Sequence, residues 1–156
     1  MPRMSCLALL ACVALLTLQG CAPNAAGARY GFFSATAPVI AILQDDMLTG
    51  EAVGYIDRTG TIKMTSVLDA SLSCIGQFRY TGAKTGTGSV ICNDGSSGDF
   101  QFHGLTSLSG YGLGKSARGP LSFTFGLTPE EAQQYLVIPK GKRVTKEKEG
   151  IRLSDV

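Results

Sequence analysis

Short runs of apolar and β-branched residues, separated by glycine-rich turns, fill most of the chain after residue 37. Such runs are typical of β-strands. They predict strands at Val39–Leu43, Ala52–Asp57, Thr61–Val67, Ser73–Tyr80, Gly88–Cys92, Asp99–His103, Tyr111–Lys115 and Leu121–Phe125. Asp57-Arg58-Thr59-Gly60 and Asn93-Asp94-Gly95 are turn signals, because Asn, Asp and Gly tolerate left-handed backbone angles. We therefore predict an all-β domain over 37–138, an antiparallel meander of about eight short strands in a small barrel or sandwich.

The strand pattern also predicts a register. Paired aromatic residues recur as Phe78 and Tyr80, Phe100 and Phe102, and Phe123 and Phe125. If Cys74 faces Cys92 across a hairpin, antiparallel pairing sets Phe78 opposite Gly88 and Tyr80 opposite Gly86. The same reasoning pairs Phe100 with Gly112 and Phe102 with Gly110. Each ring would then cover a bare glycine on the face that carries the disulfide.

One short helix is predicted after the last strand, over 129–136. Thr128 is a suitable N-cap, Pro129 suits the first helical turn, and Glu131 completes a capping box. We expect Tyr135 and the residue after it to hold the helix against the sheet or across a barrel mouth. A partner-binding helix is the alternative.

The N-terminus combines a basic Arg3 with an apolar run, Leu7–Leu16. A bilayer core requires roughly 20 apolar residues, so this run indicates a signal peptide over 1–20 and not a transmembrane span. The run leads into Leu18-Gln19-Gly20-Cys21, which resembles the lipobox of bacterial lipoprotein precursors. The resemblance implies cleavage before Cys21 and acylation of that cysteine, for example with palmitate. A secretory signal cleaved elsewhere is the alternative.

The lipobox resemblance also implies a location. Ala22 follows the cysteine, and in Gram-negative relatives the absence of Asp there implies export to the outer membrane. Small residues come next, so residues 21–36 are predicted to be an acylated, flexible tether that holds the domain roughly 20 Å from the lipid. We expect a protein anchored by lipid to the cell outer membrane, on its periplasmic face.

The cysteines that follow the lipobox predict a disulfide. Cys6 and Cys12 would leave with the signal peptide and Cys21 would carry lipid, which leaves Cys74 and Cys92. Two thiols in an oxidising periplasm predict one disulfide bond. A redox-active pair is the alternative, although such pairs normally have Cys-x-x-Cys spacing.

Charge is concentrated in the last residues, 139–156, where six basic side chains face three acidic ones. This composition predicts a disordered, solvated basic tail. Attraction of the tail to anionic lipid or a cell-wall polymer is the alternative. The net charge of the chain is too small to favour nucleic acid as a partner.

Candidate sites for chemistry are weak. His103, the single histidine, ends a predicted strand without a nucleophile motif, so we expect a surface histidine. One histidine and two paired cysteines do not make a zinc site. The segment 93–99 lacks the ligand spacing of a calcium loop, and the adjacent Asp45 and Asp46 would point to opposite faces of a strand. The glycines of 110–114 lack the residues of a phosphate loop. We predict no catalytic residue, no metal and no cofactor.

These expectations favour a non-enzymatic, membrane-anchored envelope lipoprotein with a structural or interaction role. Its partners would be the membrane and an envelope protein or cell-wall polymer. The chain resembles small glycine-rich β lipoproteins of proteobacteria, and that resemblance implies no active site. A barrel lipoprotein that binds a small apolar ligand and an inhibitor of a periplasmic hydrolase are the alternatives.

Overall fold

Residues 27–156, as described by a computed structural model, form eleven strands and one short helix. The elements in chain order are β1 (Arg29–Tyr30), β2 (Ser34–Leu43), β3 (Asp46–Tyr55), β4 (Thr59–Ser66), β5 (Ser73–Tyr80), β6 (Thr85–Cys92), β7 (Ser97–Gly104), β8 (Gly110–Ser116), β9 (Gly119–Phe125), α1 (Pro129–Ala132), β10 (Lys142–Glu147) and β11 (Gly150–Asp155). The sequence signals at 1–26, the predicted signal peptide and Cys21 among them, lie outside the described residues.

The strands from β2 to β9 form an antiparallel meander that closes on itself. Each strand pairs with the next, and β2 also pairs with β9, from Val39 opposite Phe125 to Leu43 opposite Leu121. Closure gives a barrel-like sheet of eight strands, with β1 added outside on β2. The prediction of an all-β antiparallel meander is confirmed, and of its two forms the structure has the barrel.

Aspartates close three of the turns in the same way. Asp57, Asp69 and Asp94 each accept hydrogen bonds through Oδ1 from the backbone N–H and the hydroxyl of the residue two positions later. This local bonding is the reason that Asp-x-Ser and Asp-x-Thr sequences favour turns. Two of the predicted turns are confirmed, and Arg58 and Gly95 adopt the left-handed conformation within them.

The barrel interior is filled with apolar side chains. The buried apolar side chains come from β2 to β7 and from β9, whereas β8 contributes the buried glycines Gly110 and Gly112. Five rings each lie over a glycine of the preceding strand: Phe78 over Gly60, Phe100 over Gly88, Phe102 over Gly86, Phe123 over Gly112 and Phe125 over Gly110. The rings meet edge to face, as between Phe100 and Phe123 at 4.9 Å. The glycines therefore make room for rings that would otherwise be too large for a barrel of this width.

The predicted register is confirmed for one hairpin and wrong for the next. Cys74 pairs with Cys92 and Phe78 with Gly88, as predicted. In the β7–β8 hairpin, however, Phe100 lies opposite Gly114 and Phe102 opposite Gly112, which is two residues from the predicted pairing. The turn causes the shift, because Leu105 N–H donates to the Ser109 carbonyl and so centres the hairpin one residue later than expected.

The predicted direction of the rings also needs correction. Phe78 lies opposite Gly88 in the β5–β6 pair, yet its ring lies over Gly60 of β4. The space above Gly88 is occupied by the ring of Phe100 from β7. All five rings lean the same way around the barrel, so each one covers the strand before its own.

The C-terminal region packs on the outer face of β2 and β3. Ile40, Ile42 and Met47 point out of the barrel there and contact Ala132, Leu136 and Val144. The capping box is confirmed, since Thr128 accepts from Glu131 N–H and the Glu131 side chain accepts from Thr128 N–H. The helix is shorter than predicted, because it ends at Ala132 and continues as single turns toward Leu136.

Two segments that were expected to be irregular are ordered. The prediction of a disordered basic tail over 139–156 is wrong for 142–155, which form the β10–β11 hairpin. Val144 explains the order, because it is buried against the barrel while its charged neighbours face solvent. The prediction of a flexible tether over 21–36 is likewise wrong for its last part, where β1 and the start of β2 pair.

Candidate functional site

The Cys74–Cys92 disulfide lies at the end of the barrel far from the entering chain. The predicted bond is present, and both cysteines are buried. It joins the start of β5 to the end of β6, directly beneath the turns that hold Asp69 and Asp94. Because both sulfurs belong to the interior packing, this bond stabilises the barrel and does not present a surface redox pair.

The barrel interior offers little room for a ligand. Among the described residues, the rings of Phe78, Tyr80, Phe100, Phe102, Phe123 and Phe125 surround a cavity of about 30 Å³. That volume is the share of a single water molecule in liquid water. Small-molecule pockets are an order of magnitude larger, so an apolar ligand would enter only if the rings moved apart.

The outer face of β4–β8 forms a broad, shallow groove with polar walls. Outward side chains line it, including Gln77, Arg79, Asp99, Gln101 and Lys115. Glycine backbone forms part of its floor at Gly60, Gly88 and Gly114. The opposite side of the barrel is covered by α1 and the β10–β11 hairpin, whereas this groove is open to solvent.

His103 lies at one edge of this groove, as expected for a surface histidine. Its ring stacks on Tyr111 at 5.6 Å, and Tyr111 stacks on Tyr135 at 4.7 Å. Tyr135 therefore joins the segment after α1 to the wall of the barrel. The arrangement provides a flat aromatic and polar surface at this edge of the groove.

Two of the acidic candidates accept hydrogen bonds: Asp94 within its turn and Asp46 at the start of β3. Asp94 binds Ser96 and forms an ion pair with Arg118 at 3.3 Å, and these hydrogen bonds lower its pKa below the ordinary 3.8. Asp46 accepts a hydrogen bond from Ser66 Oγ at 2.9 Å. Over residues 27–156, no group of three or more His, Cys, Asp or Glu side chains is placed to hold a metal ion.

A surface that the sequence reasoning missed lies where the chain enters the barrel. We call it the aromatic end, defined by Tyr30, Phe32, Phe33, Tyr55 and Ile56. Phe32 is 97% exposed and Ile56 74% exposed. The side chains are neighbours, since Ile56 N–H donates to the Phe33 carbonyl and the rings of Phe32 and Phe33 are 5.6 Å apart.

The signal for this surface was present in the sequence. The stretch Tyr30-Gly31-Phe32-Phe33 is apolar, but it follows small residues and lies within the predicted tether. Only the pairing of β1 with β2 shows that these aromatics are held in place. Tyr30 also contacts the β7–β8 turn through its hydroxyl, 3.2 Å from Ser107 Oγ. The patch therefore extends over three segments at one end of the barrel.

The two ends of the barrel differ in charge. At the aromatic end the turns carry Arg58 and Lys84 against Asp57, and Arg29 is paired with Glu51. The turns at the other end carry Asp45, Asp46, Asp69 and Asp94 against Arg118, and we call this the acidic end. Charge is therefore distributed asymmetrically along the barrel axis. Aromatic and basic groups lie where the chain enters, and carboxylates lie at the end that holds the disulfide.

The helix in the described residues is too short and too polar to cross a bilayer. Comparison with known proteins gives no further identification. No family model matches the chain, and no curated protein and no solved structure is significantly similar to it.

Proposed function

We propose that the protein is a membrane-anchored envelope lipoprotein that acts through interaction or as a structural component, without catalysing a reaction. The observation that carries this proposal is Leu18-Gln19-Gly20-Cys21 placed directly after the apolar run Leu7–Leu16. In this proposal the chain is cleaved before Cys21, the cysteine carries the lipid, and the barrel faces the periplasm at the outer membrane.

Features of the described residues support an interacting role. The interior is filled, so recognition falls to the outer surface. The groove on β4–β8 offers amide, hydroxyl and charged groups that suit a polar partner such as an envelope protein or a cell-wall polymer. The disulfide supports an oxidising compartment, because such bonds rarely persist in the cytosol.

Mass spectrometry of the protein from isolated envelopes tests the anchor. We expect an N-terminal peptide that begins at Cys21 and carries acyl chains, and a Cys21→Ser variant that leaves the membrane fraction. A mature protein without acylation, or a Cys21→Ser variant that still sediments with the envelope, would overturn the proposal.

Photo-crosslinking tests the groove. A photoreactive amino acid in place of Gln101, in the groove, is expected to capture a discrete envelope component in living cells. The same amino acid in place of Gln134, exposed beside α1 on the covered side, is the matched control. Equal capture from both positions would mean that the groove is not the interacting surface.

A further inference from the structure

We propose that the aromatic end of the barrel docks on the surface of a phospholipid bilayer. The inference rests on the proposed function, because it assigns the orientation that the anchored barrel adopts. The predicted tether would hold the domain away from the lipid. In the docked orientation, the Phe32, Phe33 and Ile56 side chains lie instead in the interfacial region of the membrane.

The chemistry of the patch fits that region. Phenylalanine and isoleucine favour the acyl boundary, and tyrosine favours the headgroup level because its ring is apolar and its hydroxyl is polar. Tyr30 precedes Phe32 and Phe33 along the chain, Tyr55 precedes Ile56, and all five side chains are exposed. A contiguous exposed apolar patch on a folded domain marks a contact surface, and here its composition is that of a membrane interface.

The path of the chain selects the membrane as occupant. Cys21 precedes β1 by eight residues, and eight residues reach at most about 28 Å even when fully extended. The lipid would therefore be held close to the aromatic end and farther from the acidic end. Such a short link gives the patch a high effective concentration at the bilayer, so weak contacts suffice.

Charge favours the same orientation. Anionic phospholipid headgroups attract Arg58 and Lys84 at the aromatic end and repel the carboxylates of the acidic end. Leu68 shows the contrast, because it is 81% exposed but lies among the aspartates of the acidic end. An exposed apolar side chain alone therefore does not define the docking surface, whereas its position and electrostatic surroundings do.

The absence of tryptophan from the chain permits a direct test. A Phe32→Trp variant carries its single tryptophan at the aromatic end, and Leu68→Trp carries it at the acidic end. Both sites are exposed, so neither substitution disturbs the interior. The acylated proteins are reconstituted into vesicles of phosphatidylethanolamine and phosphatidylglycerol, with and without brominated acyl chains that quench tryptophan on contact.

We expect the tryptophan emission of Phe32→Trp to be blue-shifted on the vesicles and to lose most of its intensity when the lipid is brominated. The emission of Leu68→Trp should show neither change. Equal quenching of both variants, or of neither, would overturn the docking. A blue shift without quenching that grows with protein concentration would also overturn it, because a second copy of the chain would then cover the patch.

The two proposals fail separately. If Cys21 is acylated and Phe32→Trp is not quenched, the lipoprotein assignment stands, and the barrel is attached to the membrane without contacting it. If Cys21 carries no lipid, the proposed function fails, and docking is judged by adding the purified Phe32→Trp chain to preformed vesicles. In that arm the absence of quenching overturns the docking as well.

Discussion

The ring of Phe100 on β7 lies over the backbone of Gly88, its pairing partner on the neighbouring strand β6. A β-carbon at Gly88 would overlap Phe100 Cζ and the carbonyl oxygen of Gln77. The second contact is with backbone, which does not move aside as a flexible side chain does. Gly88 is therefore set by the packing of its neighbour and not by a turn.

Gly88→Ala is expected to destabilise the protein by about 1–3 kcal/mol, the usual cost of overpacking a filled core. Urea unfolding followed by circular dichroism measures the change in the free energy of unfolding. Gly54→Ala is the matched control, because Gly54 also lies in a strand but an added methyl there meets Phe78 Cζ at an ordinary 3.9 Å. Equal destabilisation by both variants would mean that strand propensity, and not the ring, sets the cost.

The disulfide gives a second prediction. Replacing Cys74 and Cys92 together by alanine is expected to lower the free energy of unfolding by about 3 kcal/mol, because the bond closes a loop with a sequence separation of 18. Reductant should produce the same loss in the parent protein and none in the double variant. A parent protein whose unfolding is unaffected by reductant would contradict the prediction.

Removing either of two neighbouring hydroxyl groups on β9 is expected to change the free energy of unfolding in opposite directions. Thr124 Oγ1 is buried without a hydrogen-bond partner among the described residues, whereas Ser122 Oγ accepts from Val137 N–H at 2.8 Å. Thr124→Val should raise the free energy of unfolding by about 1 kcal/mol, and Ser122→Ala should lower it by about 1–2 kcal/mol. Destabilisation by Thr124→Val would indicate that the hydroxyl has a partner, such as a bound water.

Val144 predicts local opening of the C-terminal hairpin. Val144→Ala removes two buried methyl groups, which should lower the free energy of opening of the hairpin by about 2 kcal/mol. The exchange of amide hydrogens in 142–155 should therefore become roughly 30-fold faster. The barrel strands should keep their protection. Arg143→Ala, exposed on the opposite face of the same strand, is the control and should leave exchange unchanged.

The hydrogen bonds from Ser71 to Asp69 predict how the stability of the protein depends on pH. Hydrogen bonds from the Ser71 hydroxyl and N–H lower the pKa of Asp69 below 3.8. A lowered carboxyl pKa stabilises the fold above the unfolded pKa, and that contribution disappears as pH falls through the folded value. Ser71→Ala should therefore raise the pKa of Asp69 in a carbon-13 NMR titration. The variant should be less stable than the parent at neutral pH, and the difference should vanish as the pH falls through the lowered pKa of Asp69.

Local signals in the sequence predicted much of the barrel. The alternation within β5 and β6, together with the Cys74–Cys92 pairing, predicted a register that the structure confirms. Thr128 and Glu131 predicted the start of α1 correctly. These features depend on neighbours in sequence or on a single hairpin, so a pattern along one segment is sufficient to find them.

Long-range packing was harder to predict. The direction in which Phe78 leans depends on Phe100, two strands away, and no local pattern records that competition. The order of the β10–β11 hairpin depends on Val144 meeting Ile40 and Ile42, which are about a hundred residues earlier. The aromatic end was missed for the same reason, because Phe32 becomes part of a surface only when β2 and β3 place Ile56 beside it.

Closure of the barrel by β2 and β9 brings the first and last wall strands side by side. Gly126 N–H donates to the Pro38 carbonyl at 2.9 Å, so the chain leaves the wall near the place where it entered. A circular permutation that joins these two points and opens the chain at the Asp94 turn would keep the strand pairs formed between Val39 and Phe125. The new N-terminus would then lie at the acidic end, and a lipid attached there, as in the proposed function, would turn the barrel over relative to the membrane.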